Sequence, residues 1–116
     1  MSTVYVAEAW GTDAFTPLAY LAALTSTIRL ATGIVQIGAR SPAMLAVSAM
    51  TMQGRSGGRF VLGLGTSGPQ IMEGWHGVAF RSPIQRPARL SRSFVKSRGA
   101  NACRTRVRSK IGRAHV

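Results

Sequence analysis

The chain has 116 residues, the length of one ordinary domain, and at 46% hydrophobic it carries enough apolar material for a packed core. Its formal charge of +12 would point to a polyanionic partner if the charge were spread evenly. Instead, Arg29, Arg40, Arg55 and Arg59 are nearly balanced by Glu8, Asp13 and Glu73 up to Phe80, whereas Arg81 to Val116 holds eleven Lys or Arg and no acid. Cys103 is the single cysteine, which excludes an internal disulfide and a zinc cluster and fits reducing surroundings. Met1-Ser2-Thr3 has no basic lead, and no apolar run approaches the ~20 residues of a bilayer span, so a cytoplasmic protein without a membrane partner is expected.

Thr3-Val4-Tyr5-Val6-Ala7 is a short apolar, β-branched and aromatic run that stops at the polar stretch Glu8 to Asp13, the pattern of a buried strand and its loop. Thr16-Pro17 then offers a cap with proline at the first helical position, and Leu18, Tyr20, Leu21, Ala22 and Leu24 supply an apolar face until Ser26. Ile28 to Ile37 is again strand-like, with Gly33 in its interior marking either a bulge or a place where something approaches the backbone closely. Ser41-Pro42 repeats the cap signal. The uncharged stretch from Ala43 to Gln53, closed by Gly54, predicts a substantially buried second helix. After the turn Ser56-Gly57-Gly58, Arg59 to Gly65 is a third strand, running into a polar loop at Thr66-Ser67-Gly68-Pro69. Strands separated by helices call for parallel pairing through right-handed crossovers, hence an α/β architecture.

Gly63-Leu64-Gly65-Thr66-Ser67-Gly68 matches the dinucleotide pattern G-x-G-x-x-G after a predicted strand. The rest of that fingerprint is missing: Pro69 follows, and no acid exists beyond Glu73 to take a ribose hydroxyl. Two readings stand for this loop, a plain tight turn or a set of N–H groups offered to a polar ligand at the carboxyl end of a strand.

Several segments, in order, resemble the luciferase-like oxidoreductases that use FMN or the deazaflavin coenzyme F420. They are Val4 to Ala22 (VYVAEAWGTDAFTPLAYLA), Ile28 to Ile34, Ala39 to Ala43, Ser56 to Gln70 (SGGRFVLGLGTSGPQ) and Glu73-Gly74-Trp75-His76-Gly77. The resemblance implies about strands 2 to 4, with their helices, of an incomplete (β/α)8 TIM barrel over residues 1–80. It implies hydride transfer or monooxygenation of a small organic substrate, with coenzyme F420 preferred over FMN. By the same resemblance Gly33 and Ile34 fall where relatives carry a non-prolyl cis peptide against the cofactor ring. Thr66, Ser67 and Gly68 fall on a loop that touches cofactor or substrate. Glu8 falls where an acidic residue faces the ring; a solvated or salt-bridged carboxylate is the other reading of it. Ala9 departs from relatives that place a catalytic histidine there, and a methyl group transfers no proton. Trp10 is read as lining the ligand cleft or as packing, His76 as a loop residue, and no metal site is expected.

Residues 81–116 show no sustained amphipathic pattern and are expected to form a disordered basic tail. Loss of every acid after Arg86 is what a shifted reading frame in GC-rich DNA gives. Ile111-Gly112-Arg113-Ala114-His115-Val116 is the translation of the sequencing-adapter string ATC GGA AGA GCA CAC GTC, so the tail is expected to be frameshifted and adapter-derived. The alternative function is a small basic nucleic-acid-binding protein acting through its arginines. Phe94 is the only aromatic residue after Phe80, so specific stacking recognition is not expected. A half-barrel pairing with another chain would instead expose apolar strand edges at Val4 and Phe60. The expected partners are a small-molecule substrate and, for the whole protein, further copies of itself, with no specific nucleic acid.

Overall fold

The computed structural model describes residues 1–80 and the backbone of residues 107–109. In chain order the elements are β1 (Thr3–Val6), α1 (Phe15–Leu24), β2 (Arg29–Thr32), β3 (Val35–Gln36), α2 (Pro42–Arg55), β4 (Phe60–Gly65), α3 (Pro69–Gly74) and β5 (Val107–Ser109). Every strand pairing is parallel, as the alternation of strands and helices demands: β1 with β2, β2 and β3 with β4, and β4 with β5. β5 lies within the stretch for which the sequence predicts no ordered element. The remainder of the basic tail, with its proposed frameshift and adapter end, lies outside the described residues.

One face of this sheet carries the core. Leu30, Phe60, Leu62 and Leu64 meet Leu18 and Ala22 of α1 and Leu45, Ala49 and Met52 of α2, all buried. Each large side chain so buried contributes about 2 kcal/mol of transfer free energy. Phe60 is 2% exposed, with its ring centroid 5.9 Å from that of Phe15. On the other face, Tyr5 pairs in register with Ala31, and Ala31 with Val61. Pleat alternation turns these side chains away from the helices, and Tyr5 is 70% exposed.

The local capping differs from the sequence expectation at α1 and agrees at α2. Thr16 does not cap α1; Asp13 does the work, its Oδ2 accepting from the Thr16 amide at 3.2 Å and the Thr16 hydroxyl at 3.0 Å. An acceptor that precedes the helix can reach its orphan N–H groups, whereas Thr16 already lies inside it. At α2, Ser41 Oγ accepts from the Met44 amide at 3.2 Å and Pro42 occupies the first turn, as read. Gly54 does not close this helix, which runs through Arg55 before Gly57 and Gly58 turn the chain at φ of 60° and 83°. Nor is the helix buried all round: Leu45, Ala46, Ala49 and Met52 face the core, while Met44 and Val47 are exposed. α3 was not foreseen. Its signal is Gly68-Pro69, proline again in the first turn.

Arg59 ties the amino ends of the strands together. Nε donates to Ser56 O at 2.8 Å, Nη1 to Ile28 O and Thr25 Oγ1, and Nη2 to Ala22 O and Thr25 O at 3.2 and 2.7 Å. All five guanidinium donors are spent on carbonyls and a hydroxyl at the ends of α1 and α2 and before β2. Among the described residues no helix is long and apolar enough to cross a membrane.

Candidate functional site

The predicted strand from Ile28 to Ile37 is broken in the middle. From Ala31 to Val35 the chain advances four residues while its partner advances three, from Val61 to Leu64, so Thr32, Gly33 and Ile34 stand against only Leu62 and Gly63. This is a β-bulge, the first of the two readings open for Gly33. It survives because Thr32 and two glycines make room for it. The Thr32 hydroxyl donates to Gly63 O at 2.9 Å and accepts from the Gly63 amide at 2.7 Å, replacing both ladder bonds that the extra residue removes. A Cβ on Gly63 would stand 2.4 Å from Thr32 O and 2.9 Å from Gly33 O; one on Gly65 would lie 3.0 Å from Ile34 Cδ1. The glycines of the G-x-G pattern therefore sit inside β4, not in a phosphate-binding turn, and their role is to admit the bulge.

No cis peptide occurs among the described residues, so the Gly33–Ile34 bond is trans, contrary to the expectation drawn from the resemblance. Trans is the lower-energy form of a non-prolyl bond by about 2.5–4 kcal/mol. The bulge still stays knitted to β1: the Gly33 amide donates to Val6 O at 2.7 Å, and Ile34 O accepts from the Glu8 amide at 3.2 Å. Gly33 and Ile34 remain exposed at the carboxyl ends of the strands.

Around the bulge a polar network joins three connections. Glu8, just past β1, holds Arg40 through both carboxylate oxygens, with Nη1 at 2.5 and 2.7 Å. The two side chains are 10% and 23% exposed, and the Arg40 guanidinium lies 5.4 Å from the centroid of Phe15. Gln36, 1% exposed, donates from Nε2 to Glu8 O at 3.3 Å, and its Oε1 meets His76 Nε2 at 2.7 Å. The carboxylate thus takes the salt-bridged form. Before it could exchange a proton with a ligand, its bond to Arg40 would have to open.

The loop after β4 completes the rim. Ser67 holds φ at 60°, a left-handed conformation that costs a non-glycine residue about 1 kcal/mol and is commoner at binding sites than elsewhere. Thr66 is exposed and Gly68 half-buried; Gly68 O accepts from Met72 at the start of α3. Of the residues singled out in the sequence, Glu8 and Gly33-Ile34 are directly joined. Thr66 to Gly68 follow the glycine that Ile34 covers, and no hydrogen bond links them to Glu8. Arg40, Gln36, Thr32 and Phe15 were missed. A glutamine inside an apolar run and an arginine directly before a helix cap were the available signals.

Trp10 and Trp75 stand on the same rim, edge to face, with centroids 5.3 Å apart and rings inclined at 74°. Among the described residues no group of three His, Cys, Asp or Glu could hold a metal. A shallow cleft at the opposite, amino ends of the strands is lined by Met1, Thr25, Ser26, Arg55 and Arg59, but the Arg59 donors there are already used.

The Glu8–Arg40 pair is less exposed than a surface ion pair and short of full burial, so its coupling should fall between those limits. A double-mutant cycle of Glu8→Gln and Arg40→Gln on the full chain, read by urea unfolding, is expected to give about 1–2 kcal/mol. A coupling near zero would show that the pair does not hold the β1 loop against α2.

Residues 1–90 match the family of luciferase-like monooxygenases, a span that reaches past the Phe80 limit read from the sequence. A Mycobacterium tuberculosis protein provisionally named a coenzyme F420-dependent oxidoreductase is 51% identical over 84 residues, 72% of this chain and 24% of that protein. Uncharacterised proteins of Mycobacterium bovis and Mycobacterium tuberculosis are 39% identical over 84 residues, 23% of their length. The chain therefore spans about a quarter of the curated relatives it matches. Among solved structures, monooxygenase RslO1 of Streptomyces bottropensis superposes with a TM-score of 0.72 at 23% identity, covering 80% of this chain and 30% of that one. The FMN-bound oxygenating constituent of 3,6-diketocamphane monooxygenase from Pseudomonas putida gives 0.64 at 19% identity, covering 82% and 28%. These two likenesses carry the fold alone. With the family match over most of its length and a parallel α/β sheet of the same form, the chain belongs to the luciferase-like monooxygenase family.

Proposed function

We propose that this chain is the early part of a (β/α)8 barrel oxidoreductase that uses coenzyme F420, with FMN as the second choice, for hydride transfer or monooxygenation of a small organic substrate. The observation that carries this reading is the bulge. Gly33 and Ile34 present an exposed stretch of backbone in mid-sheet at the carboxyl ends of parallel strands, where barrels of this kind gather their ligands. Glycine at position 33 lets the end of β1 close in, since a Cβ there would stand 3.3–3.4 Å from Ala7, and the exposed main chain of the bulge is the surface offered to a flat ring. The strained Ser67 loop, with the Thr66 and Ser67 hydroxyls and nearby N–H groups, supplies polar contacts beside it.

When bound, such a cofactor carries the redox step itself. Residues of this chain would hold and orient it: the bulge would support the ring, and the loop hydroxyls would fix its polar edge. Glu8, kept in place by Arg40 and by Gln36 on its carbonyl, sets the shape of the β1 loop and is the candidate catalytic group once its ion pair opens. The preference for coenzyme F420 rests on the 51% identical mycobacterial relative.

The test is a titration of the full-length gene product that contains residues 1–80 in frame, alongside the present chain, following the fluorescence of oxidised coenzyme F420 and of FMN. Stoichiometric binding of coenzyme F420 by the full-length product, with FMN at least tenfold weaker, is expected. The present chain, with a fraction of the barrel's contacts, should bind at least a hundredfold more weakly. A full-length product that binds neither cofactor overturns the reading, and one that binds only FMN overturns the preference.

A further inference from the structure

We propose that Trp10 and Trp75 form an aromatic corner that takes the flat, uncharged ring of an aromatic substrate, which gives the family reaction a substrate class for this protein. The inference rests on the functional reading above for its catalytic meaning. It stands on independent geometry for its binding.

The two indoles come from connections far apart in sequence, the loop after β1 and the loop after α3, and they meet edge to face with centroids at 5.3 Å and planes at 74°. Both are 59% exposed. That combination is unlike core packing, where an aromatic pair exists to remove its faces from water. In an edge-to-face pair one ring spends its rim and the other one face, which leaves open aromatic faces standing nearly at right angles. A third planar ring can lie flat on one and turn its own edge to the face of the other, gaining about 0.5–1.5 kcal/mol per contact beyond area burial. A puckered saturated ring of the same size has no face to offer.

Two hydrogen-bond chains fix where this corner stands. Trp10 is two residues from Glu8, whose amide is bonded to Ile34 O of the bulge. Trp75 precedes His76, whose ring is bonded to Gln36, two residues beyond Ile34. Both indoles are therefore tethered to the segment on which the cofactor ring is proposed to rest. The corner is built of two uncharged indole rings, so it selects for ring shape. Gln36 is the common anchor. Its amide holds the backbone of one loop and the imidazole of the other, so the spacing of the two tryptophans is set by a side chain that is itself 1% exposed.

The chain contains two tryptophans in all, so every indole signal reports on this corner. The experiment is a titration of the 15N-labelled full chain with 2-naphthol and with its saturated counterpart 2-decalol, following the two indole N–H cross-peaks, assigned with Trp10→Phe and Trp75→Phe. Neutral probes avoid attraction to the arginine-rich tail. Both peaks are expected to move saturably with 2-naphthol and a common Kd, with 2-decalol at least tenfold weaker. Trp10→Leu should weaken 2-naphthol binding at least fivefold while leaving the remaining amide spectrum folded. Equal affinities for the two probes, a linear response without saturation, or an unchanged Kd in Trp10→Leu each overturn the aromatic corner. Should Trp10→Leu unfold the chain, Trp75→Phe and the comparison of the two probes on the unmutated chain decide the question. The cofactor titration fails or succeeds separately. Naphthol binding by a full-length product that takes neither coenzyme F420 nor FMN leaves an aromatic-binding site without this catalytic reading, whereas cofactor binding without naphthol selectivity removes only the substrate class.

Discussion

Replacing Gly63 by alanine is expected to destabilise the chain by about 3 kcal/mol or more, the upper range for overpacking. The added methyl would stand 2.4 Å from Thr32 O and 2.9 Å from Gly33 O, and both obstacles are backbone atoms of a strand pinned on either side. Neither can rotate away as a long side chain could. To accept the methyl, the bulge must flatten or β4 must separate from β2, and each course breaks the contacts on which Gly33 and Ile34 are displayed. Gly54→Ala is the matched control. No atom lies within 4 Å of its added methyl, and the position is helical, so it should stabilise by up to about 1 kcal/mol. Urea unfolding of both variants gives the comparison, and a Gly63→Ala chain within about 0.5 kcal/mol of the parent would remove the proposed reason for this glycine.

Thr32→Val should cost about 2–4 kcal/mol despite near-identical shape. Thr32 is 1% exposed, and its hydroxyl is at once donor to the Gly63 carbonyl and acceptor from the Gly63 amide. Valine fills the space and satisfies neither, leaving two backbone groups unpaired at about 1–3 kcal/mol each, reduced by whatever water can reach them. Thr32→Ser separates the two contributions: it keeps the hydroxyl and gives up one methyl, worth about 0.8 kcal/mol. Hydrogen exchange adds a local readout. The Gly63 amide should lose protection in Thr32→Val ahead of its neighbours in β4, and uniform loss across the sheet would mean that the hydroxyl does not replace the missing ladder bonds.

Both predictions concern residues that the sequence shows without explaining. Gly63 and Gly65 are legible as a glycine pattern, and the position after a strand made a nucleotide turn a natural thought. Only the register of β2 and β3 against β4 reveals that the missing side chains make space for carbonyls and for Ile34. Thr32 reads as an ordinary β-branched strand residue. Its hydroxyl acquires a task because an extra residue one step later deprives a residue 31 positions away of its partners. Glu8 reads as a strand-end carboxylate, and its ion-pair partner Arg40, 32 residues on in the chain, is not legible in the sequence.

What the sequence determines by itself is local or periodic. The alternation of strands and helices through β4 follows from apolar runs and their spacing, the start of α2 from Ser41-Pro42, and an irregularity at Gly33 from a glycine in the middle of a β-branched run. Membership of the family is legible as well, since linked segments in one order carry it. The tertiary structure alone decides which strands are neighbours at which register, that Tyr5 faces away from the helices, and that Gln36 joins the loops bearing Trp10 and Trp75. The physical reason is the range of the interactions. Propensity and capping act over a turn or two of backbone, whereas a buried amide or hydroxyl takes whatever partner the packed sheet delivers, from anywhere in the chain.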